Sequence, residues 1–134
     1  MYQKIIVSLA LDHGIGEKAI KTARNLLING GEIFAVHVYE PPHSSVNTYL
    51  TKEAVTNAFQ KTKEELAARV ADAKDIEAVI LKGHSGRTIT DYAEKIGADC
   101  IVVGSHKPGL RDYFLGSTAA RIVRHAPCSV HVLR

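Results

Sequence analysis

The stretch Asp99-Cys100-Ile101-Val102-Val103-Gly104 decides the fold that this sequence predicts. Its apolar run is typical of a short buried strand, so Gly104 comes where a parallel strand ends. That end is the usual ligand edge of an open α/β sheet. A second stretch, Leu115-Gly116-Ser117-Thr118, follows where a helix is expected to begin. Because glycines let backbone N–H groups approach an anion at the positive end of a helix, residues 104–109 together with this second stretch predict a phosphate cradle.

Two better-known glycine motifs resemble parts of the chain. Residues 104–109 have the P-loop spacing, but Leu110-Arg111 stand where a P-loop needs Lys-Ser/Thr, which excludes that motif. Residues 14–19 match a dinucleotide-binding fingerprint, with Glu40 placed as its ribose-binding acid. That fingerprint should begin directly at a strand end, whereas here Asp12 intervenes and is better interpreted as a helix N-cap. The dinucleotide interpretation is disfavoured and stays an alternative.

Composition predicts one compact domain over residues 1–134, because 46% hydrophobic and 23% charged residues supply an ordinary core and surface. The chain has no apolar run of the roughly 20 residues that span a bilayer, and its N-terminus enters a strand without a signal-peptide pattern. A cytoplasmic location with no membrane partner is therefore expected. Cys100 and Cys128 lack metal spacing and predict buried thiols.

Basic charge is concentrated near the cradle. From Gly104 to the end the chain has five cations against one acid, Asp112, a local charge of +4 within a total of +3. This excess favours a phosphate-bearing ligand. Nucleic acid is not expected as a partner, because the chain lacks a basic run with interleaved aromatic residues.

Strands and helices alternate along the whole sequence, which predicts a doubly wound open α/β sheet of five parallel strands with helices on both faces. The first helix is expected to stop at Asn29-Gly30-Gly31, and the third to be capped by Ser85 and to end at Gly97. The predicted strands are 4–10, 33–39, 78–81, 99–103 and 129–133, and the helices that follow the first four begin near residues 13, 55, 85 and 117.

The ends of the first and fourth strands should flank the crevice where the strand order reverses. Apolar residues there can sandwich an adenine while the cradle takes phosphates, as in other nucleotide pockets. His37 and His131 alternate with valines and are interpreted as sheet histidines. The seven histidines show no metal spacing, so no metal site is predicted.

At the motif level the chain resembles the universal stress protein family. The resemblance rests on Gly104-Ser105-His106-Lys107-Pro108, on residues 115–119 and 122–130, and on residues 2–7 and 98–103, so it extends over essentially the whole chain. It implies the Rossmann-like fold called adenine-nucleotide α-hydrolase-like, and homodimers in which terminal strands pair. The family contains members that bind ATP and members that do not.

The chain departs from the family's ATP-binding pattern in two places. Lys107 stands at the second glycine and Gly116 arrives one residue early, which resembles a shorter subtype in which a cation faces the phosphates. Ala10 stands where the family often has an aspartate that holds the nucleoside, which leaves backbone groups of Ala10 and Val38 to recognise adenine. Losing that carboxylate is expected to weaken binding about tenfold to a hundredfold.

The expected ligand is ATP, or else ADP or AMP, with or without Mg²⁺, and no catalytic residue is predicted because Ser117 has no nucleophile elbow or paired base. The predicted nucleotide-binding residues are Ser8, Leu9, Ala10, Val38, Val103, Gly104, His106, Lys107, Gly109, Gly116, Ser117 and Thr118. The predicted homodimer interface consists of Ser129, Val130, His131, Val132 and Leu133.

Three function classes are consistent with these features. The first is a stress-response protein that binds an adenine nucleotide and acts as a dimeric regulator on an unknown protein partner. The second is a nucleotide-free dimer of the same family that serves as an interaction module, which the residues at positions 10 and 107 favour. The third is an enzyme, at most a slow ATPase, for which no general base can be named.

Overall fold

The computed structural model describes residues 1–11, 16–41, 51–105 and 114–134, in which five strands alternate with four helices. The elements are β1 (Tyr2–Ser8), α1 (Gly16–Leu26), β2 (Leu27–Tyr39), α2 (Lys52–Arg69), β3 (Ile76–Lys82), α3 (Ser85–Ile96), β4 (Cys100–Gly104), α4 (Ser117–His125) and β5 (Ser129–Leu133). Asp12 and the start of the dinucleotide fingerprint lie outside the described residues.

The five strands form one parallel sheet in the order β3-β2-β1-β4-β5. This confirms the predicted architecture. The chain moves outward from β1 to β3 and then returns to the other side of β1 to form β4, so the order reverses between β1 and β4. Ligands of such sheets bind at this point, beyond the carboxyl ends of the two strands.

Helices cover both faces of the sheet, as predicted. On one face α1 and α2 pack against alternate sheet residues such as Ile5 and Val7, with Leu66 as the buried anchor of α2. On the other face α3 and α4 pack against Ile6 and Ile101. Because β1 and β4 are covered on both sides, their residues form a continuous apolar run rather than an alternating pattern.

Two local predictions were wrong, and each error has a physical cause. Helix α1 ends at Leu26 instead of at residues 29–31, because the glycines there form an irregular start of β2 rather than a helix cap. Gly30 has a φ of 81°, and a Cβ on Gly31 would lie 2.7 Å from the carbonyl oxygen of Gln3. Ser85 is the first residue of α3 rather than its N-cap, which is His84.

The other helix ends agree with the sequence. Gly97 terminates α3 in the left-handed conformation, with φ 68° and ψ 39°, and α4 has the predicted bounds. Strand β1 starts and ends two residues earlier than predicted, so Ala10 follows the strand instead of ending it. Among the described helices, none has the length and apolar character required to cross a bilayer.

Candidate functional site

The carboxyl edge of the sheet brings together the predicted residues from three strands. Ser8 ends β1 in register with Val36 of β2, and Val7 pairs with Val102, which places Val103 and Gly104 beside the end of β1. Leu9 continues along β2, since its N–H donates to the carbonyl of Val36 at 2.9 Å.

The apolar side chains at this edge differ from the expected adenine sandwich. Leu9, Val38 and Val103 are 6%, 8% and 4% exposed, because Leu9 packs under α1 and the two valines pack under α3 and α4. What these residues can offer a ligand is therefore mainly their backbone groups. The expectation that the main-chain atoms of Ala10 and Val38 recognise adenine stays a prediction.

Backbone hydrogen bonds hold the start of α4 against the end of β4. The buried Ser105 donates its N–H to the carbonyl of Leu133 at 2.7 Å and accepts from the N–H of Gly116 at 2.6 Å. Gly116 is thereby fixed beside Ser105, the residue that follows β4. Of the predicted cradle residues, His106, Lys107 and Gly109 lie outside the described part of the chain.

The first turn of α4 has no side-chain cap among the described residues. Its N-cap is Gly116, which has no side chain to accept from the helix, and the first intrahelical bond runs from Ala120 to the Gly116 carbonyl at 2.8 Å. Within the described residues, no side chain accepts from the amides of exposed Ser117 or half-buried Thr118. Unsatisfied amides at the positive end of a helix dipole can bind an anion.

The first amide of α3 is capped by a side chain from the loop after β2. Glu40, directly after β2, accepts through Oε1 from the Ser85 N–H at 3.0 Å and from the Ser85 hydroxyl at 2.7 Å. A carboxylate at this position also interacts favourably with the helix dipole. Glu40 thus contacts the start of α3, a structural role that the dinucleotide interpretation did not give it.

The two helix starts are neighbours because α3 and α4 pack closely at a glycine. A Cβ on Gly86 would lie 2.8 Å from the Cβ of Arg121. The aliphatic stem of Arg121 therefore lies against the first turn of α3.

The segment after β1 is held by two side chains that the sequence did not identify. His37 Nδ1 lies 2.8 Å from the carbonyl oxygen of Leu9, and the Arg69 guanidinium donates to the carbonyl of Leu11. Ala10, the predicted adenine contact, lies between these two carbonyls. The position of His37 next to Val38 was visible in the sequence, whereas no local signal pointed to Arg69 at the end of α2.

Aromatic contacts fix α2 against the ends of β2 and β3. The rings of Tyr39 and Phe59 meet edge to face, with centroids 5.6 Å apart, and Lys82 Nζ lies 4.2 Å from the centroid of the Phe59 ring. Phe59 therefore lies on the face of α2 that contacts the ends of β2 and β3.

The described residues include no cluster of metal ligands, and both of their thiols have raised pKa values. They contain no group of three or more His, Cys, Asp or Glu side chains that could hold a metal ion. Both cysteines are free, and burial raises the pKa of Cys100 to about 11 and raises that of Cys128 as well. Since the thiolate is the nucleophilic form, the raised pKa values lower the thiolate fraction of both thiols at neutral pH.

Comparison with known proteins agrees with this architecture. The chain is 27% identical to universal stress protein G of Shigella flexneri, with 100% of each chain covered. Its fold resembles that of the universal stress protein UspA from Lactobacillus plantarum, with a TM-score of 0.74, 24% identity and coverage of 99% of this chain and 98% of that chain.

Two other solved structures of similar fold contain an adenine nucleotide. One is a universal stress protein in complex with cAMP (TM-score 0.64, 20% identity, 99% and 97% coverage). The other is the universal stress protein from Archaeoglobus fulgidus in complex with dAMP (TM-score 0.62, 19% identity, 99% and 98% coverage). The family model described as "Universal stress protein family" matches residues 1–134. This chain therefore belongs to the universal stress protein family.

Proposed function

We propose that this protein binds an adenine nucleotide at the carboxyl edge of β1 and β4, with the phosphates at the start of α4. The observation that carries the proposal is the open first turn of α4, which begins at Gly116 beside the reversal in strand order. The amides of Ser117 and Thr118 can donate to phosphate oxygens, and the local basic charge adds to their attraction. Structures of similar fold contain cAMP and dAMP, which supports this ligand class.

The adenine end of the proposed site is formed by main-chain groups. Ala10 carries no carboxylate, so the backbone of Ala10 and Val38 recognises the base, while Ser8, Leu9, Val103 and Gly104 form the floor between base and phosphates. His106, Lys107 and Gly109 complete the phosphate side in this proposal. ATP is the expected ligand, with ADP and AMP binding more weakly, and any Mg²⁺ arrives with the nucleotide.

The proposed regulator is a homodimer. Strand β5 is an edge of the sheet, and its half-buried Val130 and Val132 are apolar for an exposed edge, which proteins usually cover by pairing. Pairing through Ser129–Leu133 would give a dimer, and a protein partner would bind to its surface. Sedimentation tests this: the wild type should be dimeric at micromolar concentration, and Val130→Lys with Val132→Lys should give monomers. An unchanged dimer in that double variant contradicts this interface.

Mass spectrometry of the freshly purified native protein tests nucleotide binding directly, because retained ATP, ADP or AMP appears as added mass. Isothermal titration with ATP, ADP, AMP and adenosine at moderate salt should then show affinity that falls as phosphates are removed. No heat and no competition at millimolar ATP would contradict the proposal. That result would favour the second candidate, a nucleotide-free dimer, which the absent carboxylate at Ala10 supports.

A further inference from the structure

The main chain on both sides of Ala10 is hydrogen-bonded to side chains from other elements. The carbonyl of Leu9 faces His37 Nδ1 of β2 at 2.8 Å, and the carbonyl of Leu11 accepts from the Arg69 guanidinium at the end of α2. These contacts join residues 28 and 58 positions apart in the chain. The short segment 9–11 is thus held by two side-chain hydrogen bonds although it lies beyond the end of β1.

The chemistry of the His37 contact defines which nitrogen carries a proton. A carbonyl oxygen can only accept, so Nδ1 must be the donor, and the ring is oriented by that bond. The same strand also accepts from the Leu9 N–H through the Val36 carbonyl at 2.9 Å. Leu9 is therefore bound to β2 through both its N–H and its carbonyl, and His37 immediately precedes Val38, the other main-chain contact in the proposed adenine site.

We propose that His37 and Arg69 are positioning residues that hold the Ala10 backbone in the geometry that binds adenine. This inference rests on the proposed nucleotide-binding function. A side-chain carboxylate could adjust to its ligand, but Ala10 has only backbone groups to offer, so their positions must be set by the segment itself. Ordering the segment before the ligand arrives removes a conformational cost from binding.

This role predicts a specific pattern of affinity. The two contacts act on the nucleoside end of the site, so their loss should weaken adenosine, AMP and ATP by the same factor. A defect at the phosphate end would instead grow with the number of phosphates. The pattern therefore separates the positioning role of His37 from a general disturbance of the site.

The experiment compares His37→Leu with His37→Asn, and Arg69→Met with Arg69→Lys. Asn can place its amide nitrogen where Nδ1 stands, so it should restore what Leu removes. His125→Leu, at the exposed end of α4, and Lys61→Met, on the exposed face of α2, are the matched controls. Two quantities are measured: hydrogen exchange of segment 9–11 in the unliganded protein, and the Kd for adenosine, AMP and ATP by titration calorimetry.

In His37→Leu and Arg69→Met we expect faster exchange of segment 9–11 and Kd values raised about threefold to tenfold, equally for the three ligands. Exchange in β5 and α4 should stay at the wild-type rate, which shows that the fold is intact. In the Asn and Lys variants, at least half of the change in log Kd should be recovered. Both controls should have the exchange rates and Kd values of the wild type.

The outcomes that overturn the inference differ from those that overturn the proposed function. If the wild type binds adenine nucleotides and His37→Leu and Arg69→Met bind them equally well, the positioning role is wrong while the proposed function stands. A loss that increases from adenosine to ATP, or no recovery in His37→Asn, also overturns it. If the wild type binds none of the three ligands, the proposed function fails, and the positioning role fails with it whatever the exchange rates show.

Discussion

Helices α3 and α4 begin at the same edge of the sheet and pack against each other, yet their first turns are completed in different ways. In α3 the carboxylate of Glu40 accepts two hydrogen bonds from Ser85. In α4 the N-cap is Gly116, and no side chain among the described residues accepts from the amides that follow it. Among the described residues, the first amide of α3 has a side-chain acceptor and the first amides of α4 have none.

This difference distinguishes a helix start that stabilises the fold from one that we propose to bind a ligand. Both helix starts present amides and a positive dipole end, so both could bind an anion. An internal carboxylate occupies the first amide of α3 and stabilises the folded chain. The open start of α4 forgoes that stabilisation. Substitutions at the two starts should therefore have opposite consequences.

The largest expected effect comes from Gly116→Val. The φ of −59° and ψ of 156° at this position suit an L-residue, so the fold should persist. The branched side chain would occupy the approach to the first-turn amides, and losing charge-assisted hydrogen bonds of about 1.5–3 kcal/mol each should weaken ATP at least about a hundredfold. Calorimetry measures the loss, and a thermal melt should show little change.

Leu115→Val is the matched control for Gly116→Val, since it alters the exposed neighbouring residue without touching the helix start. It should bind ATP like the wild type. Unchanged ATP affinity in Gly116→Val would mean that α4 does not receive the phosphates. The contrast between α3 and α4 would then concern stability alone.

Lys107→Ala should have the next largest effect. Lys107 lies outside the described residues, and its role is argued from the sequence, where it replaces a glycine of the family pattern. A partly exposed cation on phosphate contributes about 1–2 kcal/mol, so ATP should bind fivefold to about thirtyfold more weakly and AMP less so. The effect should disappear at high salt because the contact is screened.

Lys95→Ala is the control for the lysine substitution, because it removes the same charge from the last turn of α3, at the opposite end of the sheet. It should leave ATP affinity unchanged at every salt concentration. If Lys107→Ala behaves in the same way, the Lys107 side chain faces solvent. The phosphates would then be held by backbone amides and hydroxyls alone.

Glu40→Ala should show the reverse of the Gly116 pattern. Removing the carboxylate leaves the Ser85 amide without its partner, so the free energy of unfolding should fall by about 1 kcal/mol, while ATP affinity stays within about twofold. Glu40→Gln keeps an acceptor without the charge and should fall between the wild type and Glu40→Ala. Urea denaturation and calorimetry on the same samples measure both quantities. A loss of ATP affinity as large as that of Gly116→Val would make α3 part of the ligand site.

The sequence predicted the sheet, its parallel strands and the bounds of α4 because these depend on local signals. Buried parallel strands are continuous apolar runs, and Gly97 marks a helix end by itself. The helix end predicted at residues 29–31 was wrong, because glycines occur both in helix caps and in irregular strands. Only the pairing partner, the carbonyl of Gln3, decides between the two.

The candidate site was predictable in its glycines and not in its supporting contacts. Gly104 and Gly116 lie at the edge where the motif placed them. The contact of Glu40 with Ser85 joins residues 45 positions apart, and that of Arg69 with Leu11 joins residues 58 apart. Neither contact is indicated by periodicity in the sequence, because each depends on how α2 and α3 pack against the sheet.

The smallest effect is expected for Asp75, a carboxylate that accepts from an arginine side chain instead of from a helix start. Asp75 accepts from Arg24 Nε at 2.9 Å and from Nη2 at 2.8 Å, and both side chains are about half exposed. The hydrogen bonds from Arg24 lower the pKa of the Asp75 carboxyl. In solvent such a pair contributes only about 0.5 kcal/mol, so Asp75→Asn should cost less stability than Glu40→Ala, whose carboxylate also meets a helix dipole.

The pH dependence of this cost follows from the direction of the shift. Because the folded-state pKa of Asp75 lies below its unfolded value of about 3.9, its stabilisation is complete above that value and is lost as the pH falls through the folded pKa. Urea denaturation should therefore show a deficit for Asp75→Asn at pH 7 that shrinks toward pH 3 and toward 1 M salt, whereas Asp72→Asn, an exposed control nearby, should show none. A deficit that persists at low pH would assign the Asp75 effect to packing or hydrogen-bond geometry instead of charge. The larger stability cost of Glu40→Ala than of Asp75→Asn would then be assigned to contact geometry and not to the helix dipole.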